Sequence, residues 1–178
     1  MLFEKKLLGI TALFLFAVSF YSTPTINVND DLATIRLQLV SDGILGTISG
    51  LKTSIEFDPE QLEKSFVKAT LEVKTLSTRN KVRDYKLGSR KYLYKKKYPT
   101  ISFKSTYIRD VYDGYLIVGD LTIKDQTKQV AFDVAYREGK IVGAGSINLL
   151  DFNIKMSDKR FENKLDVYID LPVSGMAD

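Results

Sequence analysis

In one segment after another, apolar side chains fall at every second position, the spacing that places them on one face of a β-strand. Ala33, Ile35, Leu37 and Leu39 alternate with Thr34, Arg36 and Gln38, and Val67, Ala69, Leu71 and Val73 alternate with Lys68, Thr70, Glu72 and Lys74. The rhythm returns at Ile101, Phe103, Ser105 and Tyr107, at Tyr115, Ile117, Gly119, Leu121 and Ile123, and at Val130, Phe132, Val134 and Tyr136. It closes with Leu165, Val167, Ile169 and Leu171. Between these runs stand turn signals, Ser41-Asp42-Gly43, Asp113-Gly114 and Glu138-Gly139, of the kind that joins neighbouring antiparallel strands. Ile44, Gly46, Ile48 and Gly50 continue one side after the first turn, and Ile55 and Phe57 end that region. In residues 141–149 both faces carry apolar residues: Val142 and Ala144 share one side with Ser146, and Ile141, Ile147 and Leu149 take the other.

Two short helices interrupt the strands. Asp58-Pro59-Glu60 opens one, with Asp58 as N-cap and Pro59 at the first helical position, predicted over residues 58–64. The second is expected over residues 81–87, ended by Gly88. About eight strands, each apolar on one face, make an all-β antiparallel sheet that buries a single side. A sandwich or a closed barrel would do this, and the barrel also removes exposed edges.

A chain of 178 residues, 44% hydrophobic and 27% charged, fits one folded domain. Residues 1–6 carry Glu4, Lys5 and Lys6, residues 7–21 are apolar with little interruption, and Ala17-Val18-Ser19 is a small-x-small site. That order is expected of a secretory signal peptide cleaved after residue 19, followed by a polar lead over residues 20–31 and a single domain over residues 32–178. Export to the periplasm or secretion follows from it. A net charge of +4 is too small to point to nucleic acid. The chain has no cysteine and no histidine, which excludes disulfides, cysteine nucleophiles, Ser-His-Asp chemistry and the commonest zinc or copper ligands. No spacing brings Asp84, Asp120 or Asp151 together as an acid and base pair. The expectation is a non-enzymatic protein with neither catalytic residues nor a metal or cofactor.

If the sheet closes, the inward set mixes bulky Ile35, Leu71, Phe103, Ile117, Phe132 and Val167 with small Ala69, Ser105, Gly119 and Ala144. An eight-stranded barrel is just wide enough to fill with its own side chains or to hold one slender ligand. Periodicity leaves both open.

Residues 77–106 break the rhythm most completely, and here the pattern becomes specific. Thr78, Arg83-Asp84 and Leu87, then Tyr98-Pro99-Thr100-Ile101-Ser102-Phe103-Lys104-Ser105, resemble the signature of the YceI-like family of secreted lipid-binding barrels. Gly119-Asp120-Leu121-Thr122-Ile123 with Thr127-Lys128-Gln129-Val130 is similar to that family's G.LTI..TK.V hairpin, Ile55 to Glu60 to its FDPE turn, and Asp151-Phe152 to its DFG-type kink. Asn153 stands where that kink usually has glycine, Asp125-Gln126 replaces a usual glycine, and the chain lacks both the family's frequent histidine near Lys86 and any tryptophan.

The resemblance implies an eight-stranded, lipocalin-like antiparallel barrel in the periplasm, with an isoprenoid-like apolar lipid in a lumen formed by the inward set above. Arg83, Asp84, Tyr85, Tyr92, Tyr94 and Tyr98 would then rim the mouth, with tyrosine rings offering an apolar body and a polar tip. Lys86, Lys91 and Lys95 to Lys97 would meet a polar head or an anionic membrane surface. The alternative is an envelope interaction module with a packed lumen and a lysine and tyrosine docking face. Oligomeric state stays open, a dimer included.

Overall fold

The computed structural model describes residues 25–29 and 31–174; the expected signal peptide and the start of the polar lead lie outside the described residues. The strands are β1 (Thr25–Val28), β2 (Thr34–Leu39), β3 (Ile44–Ile48), β4 (Lys52–Glu56), β5 (Phe66–Glu72), β6 (Thr100–Val111), β7 (Gly114–Ile123), β8 (Gln126–Arg137), β9 (Lys140–Asn148) and β10 (Lys164–Ser174). One α-helix, α1 (Lys81–Leu87), lies between β5 and β6. All neighbours are antiparallel, and the sheet closes. β10 pairs along one edge with β9, and along the other first with β2 and then, at Val173 and Ser174, with β1. β1 and β2 therefore make one interrupted stave, and β3 and β4, which pair with β2 and β1 respectively, make a second. Counted in this way the ring is an eight-stranded antiparallel barrel, which settles the choice between barrel and sandwich.

One seam is not a regular ladder. Below the β4–β5 pairing, β3 meets the chain after β5 through the Thr47–Ser77 bridge. The Thr75 hydroxyl donates to Ser49 O (2.8 Å) and accepts from Ser49 N (2.9 Å). Gly46 lies under this crossing, where a Cβ would sit 3.3 Å from Ser77 O. Residues 73–99 thus complete the wall where β3 has no strand beside it.

Several expectations are corrected. Thr25–Val28, assigned to a polar lead, is the strand that closes the barrel; its two apolar residues, Ile26 and Val28, are too few to stand out as a pattern. The Asp58 carboxylate does accept from Glu60 N (2.9 Å) and Gln61 N (3.2 Å), but the turn passes into a 3-10 segment, Leu62–Lys64, because β5 begins at Phe66. Residues 81–87 are helical as expected, with the Asn80 side chain accepting from Arg83 N (3.0 Å). Gly88 ends the helix with φ −75°, and its bareness admits the Lys95 chain, which a Cβ would approach to 2.8 Å.

The alternation in β6 fails at one point. A bulge between Ser105 and Tyr107 shifts the register against β7, as an extra residue must. Tyr107 consequently turns outward, 57% exposed, and Ile108 takes the buried face. In β9 the inward positions are Gly143 and Gly145, opposite Val134 and Phe132 on one side and Ile169 and Val167 on the other. Ala144 therefore points outward and is exposed; with apolar residues on both faces, periodicity could not orient this strand. At the Glu138-Gly139 hairpin both residues have positive φ, 48° and 76°, the backbone that matches strand twist.

Candidate functional site

The inward faces do not meet at the barrel axis. They enclose a cavity of about 320 Å³, inside the size range of small-molecule sites. Among the described residues its wall is apolar almost throughout and carries no carboxylate; Arg83 is its charged member.

Ile35, Ala69, Leu71, Phe103, Ile117, Phe132 and Val167 line the cavity, and the other three of the expected inward set do not. Ala144 faces out, as described. Ser105 is buried beside the bulge, where its hydroxyl accepts from Val67 N (2.8 Å) in place of a ladder partner. Gly119 is on the inward face but lies beneath the Phe103 ring, which a Cβ would meet at 2.5 Å. Gly145 has the same relation to Phe132, also 2.5 Å. The two rings pack edge to face with centroids 5.6 Å apart. Each leans on a strand position without a side chain, which draws it towards the wall and away from the axis.

The ends of the lumen differ. At the end nearest α1, Tyr92, Leu149, Phe152 and Ile154 join Leu39, Leu121, Ile123 and Ile147 in one buried cluster. At the opposite end the lining residues Ile26, Phe57, Val67, Tyr115, Val134 and Ile141 are half-buried, and Tyr136 is 38% exposed. Phe57 and Tyr115 stack edge to face there at 4.8 Å. The lumen is least covered at this second end.

The residues expected around the mouth separate into three kinds. Arg83 and Tyr92 line the cavity. Tyr92 is only 7% exposed, a core ring with Lys91 and Lys86 ammonium groups 5.6 and 6.0 Å from its centroid. Asp84 does not reach the cavity; it accepts from Thr78 N (2.8 Å) and the Thr78 hydroxyl (2.5 Å). Arg83 Nε donates to the same hydroxyl (2.8 Å) and Nη2 to Thr78 O (3.1 Å). The Arg83-Asp84 pair thus acts through the buried Thr78, not through an ion pair of its own. Tyr85 points to solvent, and Tyr94 and Tyr98 pack edge to face at 6.0 Å. The Tyr98 hydroxyl donates to Asp125 (3.1 Å). The Gln126 amide and then Tyr98 hold the Asp125 carboxyl below its ordinary value, while the Tyr98 hydroxyl raises the Lys97 ammonium.

Periodicity missed the lining supplied by non-strand residues: Leu76, Thr78, Leu87 and Leu93 from the wall segment, and Ile154 and Met156 beyond the kink. It also missed Asn163, wholly buried, which accepts from Met156 N (2.8 Å) and Ser157 N (3.2 Å) and donates to Ser157 O (3.0 Å) and Lys159 O (2.7 Å). The kink carries one readable sign. Asn153, standing where glycine is usual, has φ 56°, the left-handed conformation that asparagine tolerates best after glycine.

Known proteins are similar to this chain. A UPF0312 protein of Photorhabdus laumondii is 31% identical over 63% of this chain, which spans 64% of that relative's length. A UPF0312 protein of Yersinia enterocolitica is 27% identical over 86% of this chain and 88% of its own. Among solved structures, Burkholderia cenocepacia BcnA superposes with a TM-score of 0.72 at 19% identity, over 84% of this chain and all of its own. A polyisoprenoid-binding domain from Saccharophagus degradans gives 0.57 at 8% identity, over 82% of this chain and 95% of its own. Likenesses at such low identity speak for the fold. The family model for the YceI-like domain matches residues 25–173, from the closing strand β1 to the end of β10, and with the barrel they form the chain belongs to the YceI-like family.

Proposed function

We propose that the protein binds an apolar, chain-like lipid of isoprenoid type in its lumen and carries or sequesters it within the bacterial envelope, without catalysis. The observation that carries this reading is the apolar cavity of about 320 Å³ along the barrel axis. Each buried methylene of such a chain is worth about 0.8 kcal/mol, so transfer into the lumen has a driving force that offsets the ordering of a flexible tail. A wall without carboxylates among the described residues supports binding over chemistry, and Arg83, its charged member, has Nε and Nη2 engaged by Thr78. The polyisoprenoid-binding relative of the fold supports the ligand class, and the apolar run at residues 7–21 supports export. A packed-lumen docking module is disfavoured by the same cavity.

The test is organic extraction of protein purified from its own host, followed by mass spectrometry, together with uptake of prenyl lipids in vitro. An apolar lipid at near-stoichiometric amount is expected. Ala69→Phe, which places a ring in the lumen, is expected to abolish uptake with the fold retained. No extracted lipid and no uptake would remove the carrier reading.

A further inference from the structure

The outer face of the wall segment is strongly cationic. Over residues 79–98 eight cations are exposed, Arg79, Lys81, Lys86, Arg90, Lys91 and Lys95 to Lys97, and the one acid, Asp84, is turned inward to Thr78. Among the described residues none of the eight closes an ion pair within 4 Å. In their midst α1 presents Val82 and Tyr85, three residues apart on one helix face and each 79% exposed. The other face of the helix, Arg83 and Leu87, lines the cavity. Across the barrel the opposite rim has the reverse sign: Asp58, Glu60, Glu63, Asp110, Asp113 and Glu138 stand around Lys64, Arg109, Arg137 and Lys140. Arg137 and Lys140 are already paired, with Asp113 and Asp170.

We infer that the α1 face docks on an anionic phospholipid bilayer, with Val82 and Tyr85 entering the interface and the lysines held over the headgroups. The charge pattern selects this partner. A cluster of cations is attracted to an anionic leaflet by roughly fivefold in affinity per charge, and the acidic opposite rim orients the barrel with α1 towards the surface. Two exposed apolar side chains inside the cluster are unneeded for a soluble polyanion, whereas at a bilayer they bury apolar area. The docking is independent of what fills the lumen, since the residues that make it point away from the cavity.

The chain has no tryptophan, so a single introduced indole reports locally and the apolar run at residues 7–21 does not enter the signal. Tyr85→Trp in the full chain is mixed with vesicles of phosphatidylethanolamine and phosphatidylglycerol. The expected result is a blue shift of its emission, absent with pure phosphatidylcholine vesicles, reversed by salt as the Debye length contracts, and absent for Tyr112→Trp on the opposite rim. Adding Lys91→Glu and Lys96→Glu to the Tyr85→Trp chain is expected to weaken the response by well over tenfold. Equal shifts for the two reporters, or an unchanged response with neutral vesicles, would overturn the assignment. So would a shift that grows with protein concentration without vesicles, which would mean a second copy occupies the face. A soluble polyphosphate that binds with the affinity of the vesicles and gives the same blue shift would also overturn it. Failure here with lipid still extracted from the lumen would leave the carrier reading intact, and the reverse would remove that reading alone.

Discussion

Two irregular segments cap the same end of the barrel and handle their charges in opposite ways. In residues 149–166 cations and acids neutralise one another: Lys155 with Asp158, Lys159 with Glu162, Arg160 with Asp151 and Lys164 with Asp166. In residues 79–98 eight exposed cations share no ion pair among the described residues. Both segments send apolar groups into one cluster, Phe152 and Ile154 from the first and Tyr92 and Leu93 from the second. The difference shows that plugging the barrel needs no surplus charge, since 149–166 does it while nearly neutral. The positive charge on 79–98 is left without neutralising acids, although Lys86, Lys91 and Lys97 lie against the Tyr92 and Tyr98 rings.

The comparison breaks if the two plugs contribute otherwise than their burial implies. Phe152→Ala, at a ring 1% exposed, is expected to lower unfolding free energy by about 3–5 kcal/mol in urea titrations. Asn163→Ala leaves two N–H groups and two carbonyls without their partners and is expected to cost about 3 kcal/mol by the same measurement. A loss below about 0.5 kcal/mol at either site would show that 149–163 is an ornament on a barrel that closes without it.

Acid sharpens the contrast. The Ser157 hydroxyl and then Lys159 hold Glu162 below its ordinary value of 4.5, Lys155 does the same for Asp158, and the Ser146 hydroxyl and then Lys164 for Asp166. Carboxylates lowered by folding contribute stability above their unfolded pKa and lose it as pH falls through the folded one. Protection factors of the amides around Met156 and Asn163, corrected for the intrinsic pH dependence of exchange, are therefore expected to fall first as pH drops below about 4.5, while those of α1 hold. The smallest effect belongs to Lys91→Glu with Lys96→Glu: a change within about 0.5 kcal/mol in thermal or urea unfolding. A larger loss would mean that these cations already serve the fold.

How much of this could be read from the residues depends on whether the chain follows a period. Strands with one apolar face, such as β5, β7 and β10, were oriented correctly because burial on one side forces alternation of period two. Orientation failed where the backbone departs from that period or where both faces are apolar. The bulge before Tyr107 adds one residue without any glycine to announce it, and β9 turns its glycines inward because Phe132 and Ile169 need the room. The site was legible where strands supply it. Leu87, Leu93 and Met156 reach the cavity from a helix and loops, and no local pattern tells which way a loop residue will face. Tyr92 shows the cost of that silence: next to three lysines and a glycine turn it looks like rim, yet a ring that seals a barrel end is core.

The last strand has a consequence for how the chain reaches this state. β10 holds β9 on one edge and both β2 and β1 on the other, with Val28 paired to Val173. Until the 11 residues of β10 are present, β2 and β9 are open edges, of the kind that invites pairing between chains. Contacts that join β1 to β10 also make for high contact order and slow folding. A chain truncated before Lys164 is expected to be an aggregating sheet, not a smaller barrel, so none of the closed lumen exists until β10 has been made.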